Sequence, residues 1–203
     1  MKEWMGFTMR CFESISMLRT LAIALIAVIS LSSAAAKATE TYGIKVSKAN
    51  LLSIGDSYYL GADIDYHFNP PVIDALVRGV PLTLVVRLKI ERERKLWFNE
   101  TILNERRSIK IRYHPLATSF QILDQTSGAT QSFIGLPALL DTLSRLRGWE
   151  IAKIDTFKPG QHYLGFLSVQ LDIEALPLPL RAQAYLSPRW YNRSPVYTWP
   201  LAL

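Results

Sequence analysis

The sequence predicts a mainly β protein: a single antiparallel two-layer β-sandwich, immunoglobulin-like, with two short helices and a preceding N-terminal signal or anchor segment. Three observations predict it. Apolar and polar residues alternate with a period of two in segment after segment from residue 42 onward. Only two stretches switch to helical spacing, and both are short. No internal repeat, low-complexity block or linker divides residues 39–203, a length suited to one domain.

The first strand is YGIKVSKANLLSI, residues 42–54. SYYLGADIDYHF (57–68) then places Tyr58, Leu60, Ala62, Ile64, Tyr66 and Phe68 on one face. In 69–79 the spacing becomes helical, with Asn69 as N-cap, two prolines in the first turn and Gly79 as the stop. LTLVVRLKIERERKLWF (82–98) puts Leu82, Leu84, Val86, Leu88 and Ile90 on one face and Arg87, Lys89, Glu91 and Glu93 on the other. At roughly 3.3 Å per residue, such a stretch makes a long, protruding ribbon.

RSIKIRYHPL (107–116) alternates again, with Ile109, Ile111 and Tyr113 inward. Residues opposed across an antiparallel pair share a face, so even positions of the first strand must meet odd positions of the second, or odd must meet even. Glu91 opposite Lys110 and Lys89 opposite Arg112 satisfy one such register. A hairpin around Ser127-Gly128 fills 118–135. The second helix is 136–148, with Leu139, Leu140, Leu143 and Leu146 on a stripe and Gly148 as its stop. Strands at 149–157 and 162–173 follow. Residues 175–186 read as helix or loop around Pro177 and Pro179, and the Trp- and Pro-rich tail as an edge strand or extended segment on the sheet.

The leading residues belong to targeting rather than to the fold. Arg19, the apolar run Leu21–Ile29 and the small residues to Ala38 form the three parts of a secretory signal, with cleavage expected after Ala36 or Ala38. Residues 17–36 left uncleaved would act as an inner-membrane anchor. Met17 reads as an alternative start, which would make 1–16 superfluous. The expected location is therefore the periplasm or outside the cell. Cys11, the only cysteine, precedes the apolar run, so the domain has no disulfide and no cysteine ligand and must stand on its core. Beyond residue 38 there are 19 basic and 15 acidic residues, a net charge of +4. They are interspersed rather than blocked as in a nucleic-acid or anionic-lipid patch, and no nucleic-acid partner is expected.

Candidate chemistries are few. SIGDSYYLG (53–61) resembles the first block of the GDSL hydrolases, with Ser57 as nucleophile. That family's later Gly-x-Asn-Asp and Asp-x-x-His blocks are absent, and His67, His114 and His162 each lack an aspartate three residues earlier. Asp63, Asp65 and His67 share a strand face, but so do the wet residues of any half-buried strand, and neither metal nor other cofactor is expected. Trp97-Phe98, and Trp190-Tyr191 with Trp199, read as core or staple residues, or else as a ligand platform. Asn99-Glu100-Thr101 and Asn192-Arg193-Ser194 match the glycosylation pattern. Glu91, Arg92, Glu93, Arg94 and Lys95, with Arg106 and Arg107, are either the solvated face of a hairpin or a docking surface. They are the candidate interaction residues.

DALVRGVPLTLVVRLKIERERKLWF, IRYHPLATSFQIL and LPLRAQAYLSPRWYNRSPVYTWPL, in that order, resemble the domain of unknown function 4390 family of proteobacteria, over Tyr42 to Leu201. The resemblance implies a small exported protein with no catalytic residues to carry over. It also implies, from neighbouring genes, a membrane sensor kinase as partner. The expected function is a non-enzymatic periplasmic protein that binds or scaffolds an envelope component. The alternatives are an exported hydrolase using Ser57 and a carrier of a small apolar ligand between the sheets.

Overall fold

The computed structural model describes residues 42–94 and 96–202. The signal and anchor expectations for 1–38 lie outside the described residues, as does Lys95. The described chain is mainly β, in two antiparallel sheets with three short helices. β1 (Gly43–Ile54), β2 (Ser57–His67) and β7 (Arg145–Lys153) form a three-stranded sheet in the order β1-β2-β7. The second sheet has six strands: β3 (Leu82–Arg92), β4 (Glu100–His114), β5 (Ser119–Asp124), β6 (Thr130–Phe133), β8 (Tyr163–Leu171) and β9 (Tyr197–Pro200). Their order is β6-β5-β4-β3-β8-β9.

Alternation builds the core directly. The even-numbered face of β2, Tyr58 to Tyr66, is buried with Phe68 just beyond it, and so is Leu82 to Ile90 on β3. These two faces, with Ile109 and Ile111 of β4 and Leu167 and Val169 of β8, share one continuous apolar cluster. At its start β3 is buried on both faces, since Thr83 and Val85 are also covered. There the Asp172 N–H donates to the Thr83 carbonyl at 2.8 Å, docking the segment that leads into the 3₁₀ turn Ile173–Ala175.

Several elements differ from expectation for local reasons. Helix α1 (Pro70–Val77) starts with prolines in its first turn, but Asn69 does not cap it with its side chain. The Asn69 N–H instead donates to Asn192 Oδ1 at 3.2 Å. Helix α2 (Leu136–Ser144) ends four residues before Gly148, and β7 begins at once with Arg145. Leu139, Leu143 and Leu146 fit a helical stripe, yet Leu146, Trp149 and Ile151 are the residues β7 buries. Gly148, at φ +66°, sits inside β7, where Leu60 pairs with Trp149 but Ala62 with Leu146, a bulge rather than a helix stop. The segment around Pro177 and Pro179 resolves as helix α3 (Leu178–Leu186), a third helix.

The β3–β4 register is the largest correction. Leu82 pairs with Ile111, Thr83 with Lys110 and Arg87 with Arg106, so even meets odd as parity requires. The strand partner, however, begins at Glu100, seven residues before the expected start. Glu91 therefore faces Thr101, and Lys110 faces Thr83, so neither expected charge pair forms. The hairpin link shrinks to residues 93–99.

Candidate functional site

One end of the sandwich gathers the β3–β4 link, the β1–β2 turn and the start of β8. Tyr163 of β8 pairs with Arg92, the last residue of β3. Its ring lies 5.1 Å, edge-on, from Phe157, which in turn lies 5.2 Å from Tyr58 at the start of β2. The Glu93 N–H donates to the His162 carbonyl at 2.9 Å. Beyond that bond the link overhangs the sheet.

The overhang is apolar. Leu96, Trp97 and Phe98 are 96%, 75% and 86% exposed. The core reading of Trp97 and Phe98 is wrong, whereas Trp190 and Trp199 are buried and Tyr191 is exposed. Ile54 and Ile154 are exposed on the neighbouring turns, joined by the Ile154 N–H on the Asp56 carbonyl.

Behind the apolar tip stands a polar neck. Arg92 and Arg94 both donate to the Glu100 carboxylate. Its pKa is lowered, first by the hydrogen bond from Arg94. Lys89 Nζ lies 2.5 Å from Glu91 Oε1, and Asn99 Nδ2 donates to Glu91 Oε2 at 3.2 Å, which lowers the Glu91 pKa with Lys89 as the larger cause. Glu91, Arg92, Glu93 and Arg94 thus stand together at the neck.

Arg106 and Arg107 do not join them. Arg106 lies down the ribbon opposite Arg87, on the outer face, and donates to Asp172 at 3.1 Å. Arg107 points inward, as its shared parity with Ile109 and Ile111 requires. Its Nε and Nη2 donate to Asp124 Oδ2 at 3.0 and 2.5 Å, and its guanidinium lies 5.8 Å from the Trp149 ring centre. Asp124 is buried. Desolvation pushes its pKa up, but hydrogen bonds from Arg107, the Ser127 hydroxyl and the Thr126 N–H outweigh that and hold it at about 2. This pair ties β4 to β5 within the six-stranded sheet, and the Arg107 contact with Trp149 reaches across to β7 of the other sheet.

Ser57 opens β2 rather than a helix, and it is only 2% exposed. Its hydroxyl donates to Glu150 Oε1 at 2.8 Å and accepts from Lys153 Nζ at 2.9 Å. The Lys153 pKa is raised, first by its hydrogen bond to Glu150 and then by the charge of Asp56. The cluster ties the β1–β2 turn to β7.

Asp63 accepts from Arg147, and Asp65 accepts from the Ser47 hydroxyl. Among the described residues, no group of three or more His, Cys, Asp or Glu side chains is placed to hold a metal. Asn192 is 1% exposed and bonded to Asn69 and the Trp190 carbonyl, which closes that glycosylation site; Asn99 is exposed. No described helix is long and apolar enough to cross a membrane.

Sequence reasoning missed the three tip residues as a unit. The signal was present: three successive large apolar residues cannot all point inward from a strand.

From before β1 to the end of the Trp-bearing edge strand β9, residues 42–200 match a family described as a domain of unknown function (DUF4390). The chain belongs to the DUF4390 family. No curated protein and no solved structure matches it. The DUF4390 match covers every strand of both sheets, so the tip and its neck lie within the family domain.

Proposed function

We propose that this DUF4390 protein is a non-enzymatic binding protein of the periplasm that docks on an envelope component through its β3–β4 tip. The observation that carries the reading is the exposure of Leu96, Trp97 and Phe98 together at the end of a ribbon whose base is fully buried. Large apolar side chains left in water cost stability and solubility, and such patches mark interaction sites. The signal-like residues 17–38 support the location. The family resemblance supports a membrane sensor kinase as an associate in the same compartment. The Ser57 cluster supports a structural role for the only serine that sequence nominates for catalysis.

Photo-cross-linking in the host envelope tests the reading. A photoreactive residue at Trp97 or Phe98 is expected to form adducts, while the same residue at Leu116, equally bare but on the β4–β5 turn, forms none. Equal yields at all three positions, or no adduct at the tip, overturn it. Fluorophosphonate is expected to leave the protein unlabelled, and labelling that disappears in Ser57→Ala would put a hydrolase in its place.

A further inference from the structure

We infer that the surface on which the tip docks is a lipid bilayer, into which Leu96, Trp97 and Phe98 insert as a wedge. The inference rests on the binding reading above and names the component bound. Side chains along a ribbon alternate, so a hairpin that packs on a protein offers one face, residues i and i+2. Here the three successive side chains stand in the link beyond the last strand pair, Arg92 with Glu100, and each is at least three-quarters bare, so the ribbon covers none of them. A protein pocket covers one side of such a tip; a medium that surrounds it covers all of it.

The order of chemistry along the ribbon also suits a bilayer. A protein interface sets its polar rim around the apolar centre. At this tip the polar groups stand behind the apolar ones, with Glu93, Arg94 and Asn99 exposed at the neck. An inserted tip would place Leu96 and Phe98 among acyl chains, the Trp97 indole at the boundary and the guanidinium groups at headgroup depth. Arg92 and Arg94 share the single Glu100 carboxylate, and from Lys89 to Glu100 the sequence carries four basic and three acidic residues, an excess of one positive charge. That small positive excess complements anionic headgroups. The mild, interspersed charge of the whole domain leaves apolar insertion as the holding force and charge as a guide.

Flotation of the full chain with vesicles of phosphatidylethanolamine and phosphatidylglycerol is the test. Wild type is expected to float, and the combined Leu96→Ser, Trp97→Ser, Phe98→Ser variant to bind about a hundredfold more weakly. The apolar run Leu21–Ile29 is common to both chains, so the difference belongs to the tip. Trp97→Phe is expected to keep binding but to lose the tryptophan quenching that brominated lipid causes in wild type. Equal flotation of the triple variant, or unchanged quenching in Trp97→Phe, overturns the inference. A tip without vesicle affinity that still cross-links to a protein overturns lipid and leaves the binding reading intact; a tip that does neither removes both.

Discussion

The two ends of the β3–β4 ribbon both carry large apolar side chains and meet opposite fates. At the base, β3 lies between β4 and β8, and Leu82, Leu84, Val86, Leu88 and Ile90 are fully buried. At the tip, β8 has no residue left to pair: Tyr163 meets Arg92, and the chain runs seven residues further before β4 begins. Apolar side chains are therefore buried where a second sheet and two neighbouring strands reach them, and stay bare where both stop. Hydrophobicity made both ends candidates for burial. Neighbours decided which end received it.

The comparison can be broken most severely at the base. Leu88→Ala is expected to cost about 2 to 5 kcal/mol, because the well-packed site collapses only partly around the lost volume. Urea unfolding measures it, and a cost near zero would mean the base is not the core it looks to be.

Next comes the ion pair that ties Arg107, on the ribbon's inner face, to Asp124 at the end of the neighbouring strand β5. Asp124→Asn is expected to cost on the order of 2 kcal/mol at neutral pH, from the difference between its ordinary pKa and about 2. Its folded pKa is depressed, so the stabilisation is complete above the unfolded-state value and fades as pH falls through about 2. Wild type should lose stability between about pH 4 and pH 2 by this amount more than Asp124→Asn does. Parallel acid slopes in unfolding curves would show that the Arg107 pair contributes nothing.

Closer to the tip, Gly165 of β8 lies beneath Trp199 of β9. A Cβ there would meet the indole ring at 2.6 Å. Gly165→Ala is expected to displace β9 at a cost of about 1 to 2 kcal/mol, with a shift in tryptophan emission. Unchanged emission and stability would mean the edge strand is loosely held.

The smallest effect on folding is expected at the tip itself. Trp97→Ser should alter unfolding free energy by less than about 0.5 kcal/mol, as exposed substitutions do, while abolishing tip cross-links. A folding cost comparable to that of Leu88→Ala would erase the distinction between the two ends.

The candidate interaction residues divide along the same line. Glu91 to Arg94 stand at the neck, where sequence placed the hairpin end. Arg107 does not, and its parity already said so: it shares a face with Ile109, Ile111 and Tyr113. What parity could not say was that an aspartate at the end of β5, 17 residues later, would receive it. Similarly, the GDSL-like block was legible as a turn entering a strand, but the Lys153 and Glu150 partners of Ser57 come from β7, more than 90 residues away.

Sequence by itself determined the fold class, the two buried strand faces, the hairpin at Gly128, the cysteine-free core and the rule that even meets odd between β3 and β4. All of these follow from backbone geometry and local residue chemistry, which act within a few positions. The tertiary structure alone decided which of the registers permitted by parity forms, where α2 gives way to β7, and which tryptophans are buried. Those outcomes depend on how much of one strand another can cover, a sum over distant segments that no local pattern contains.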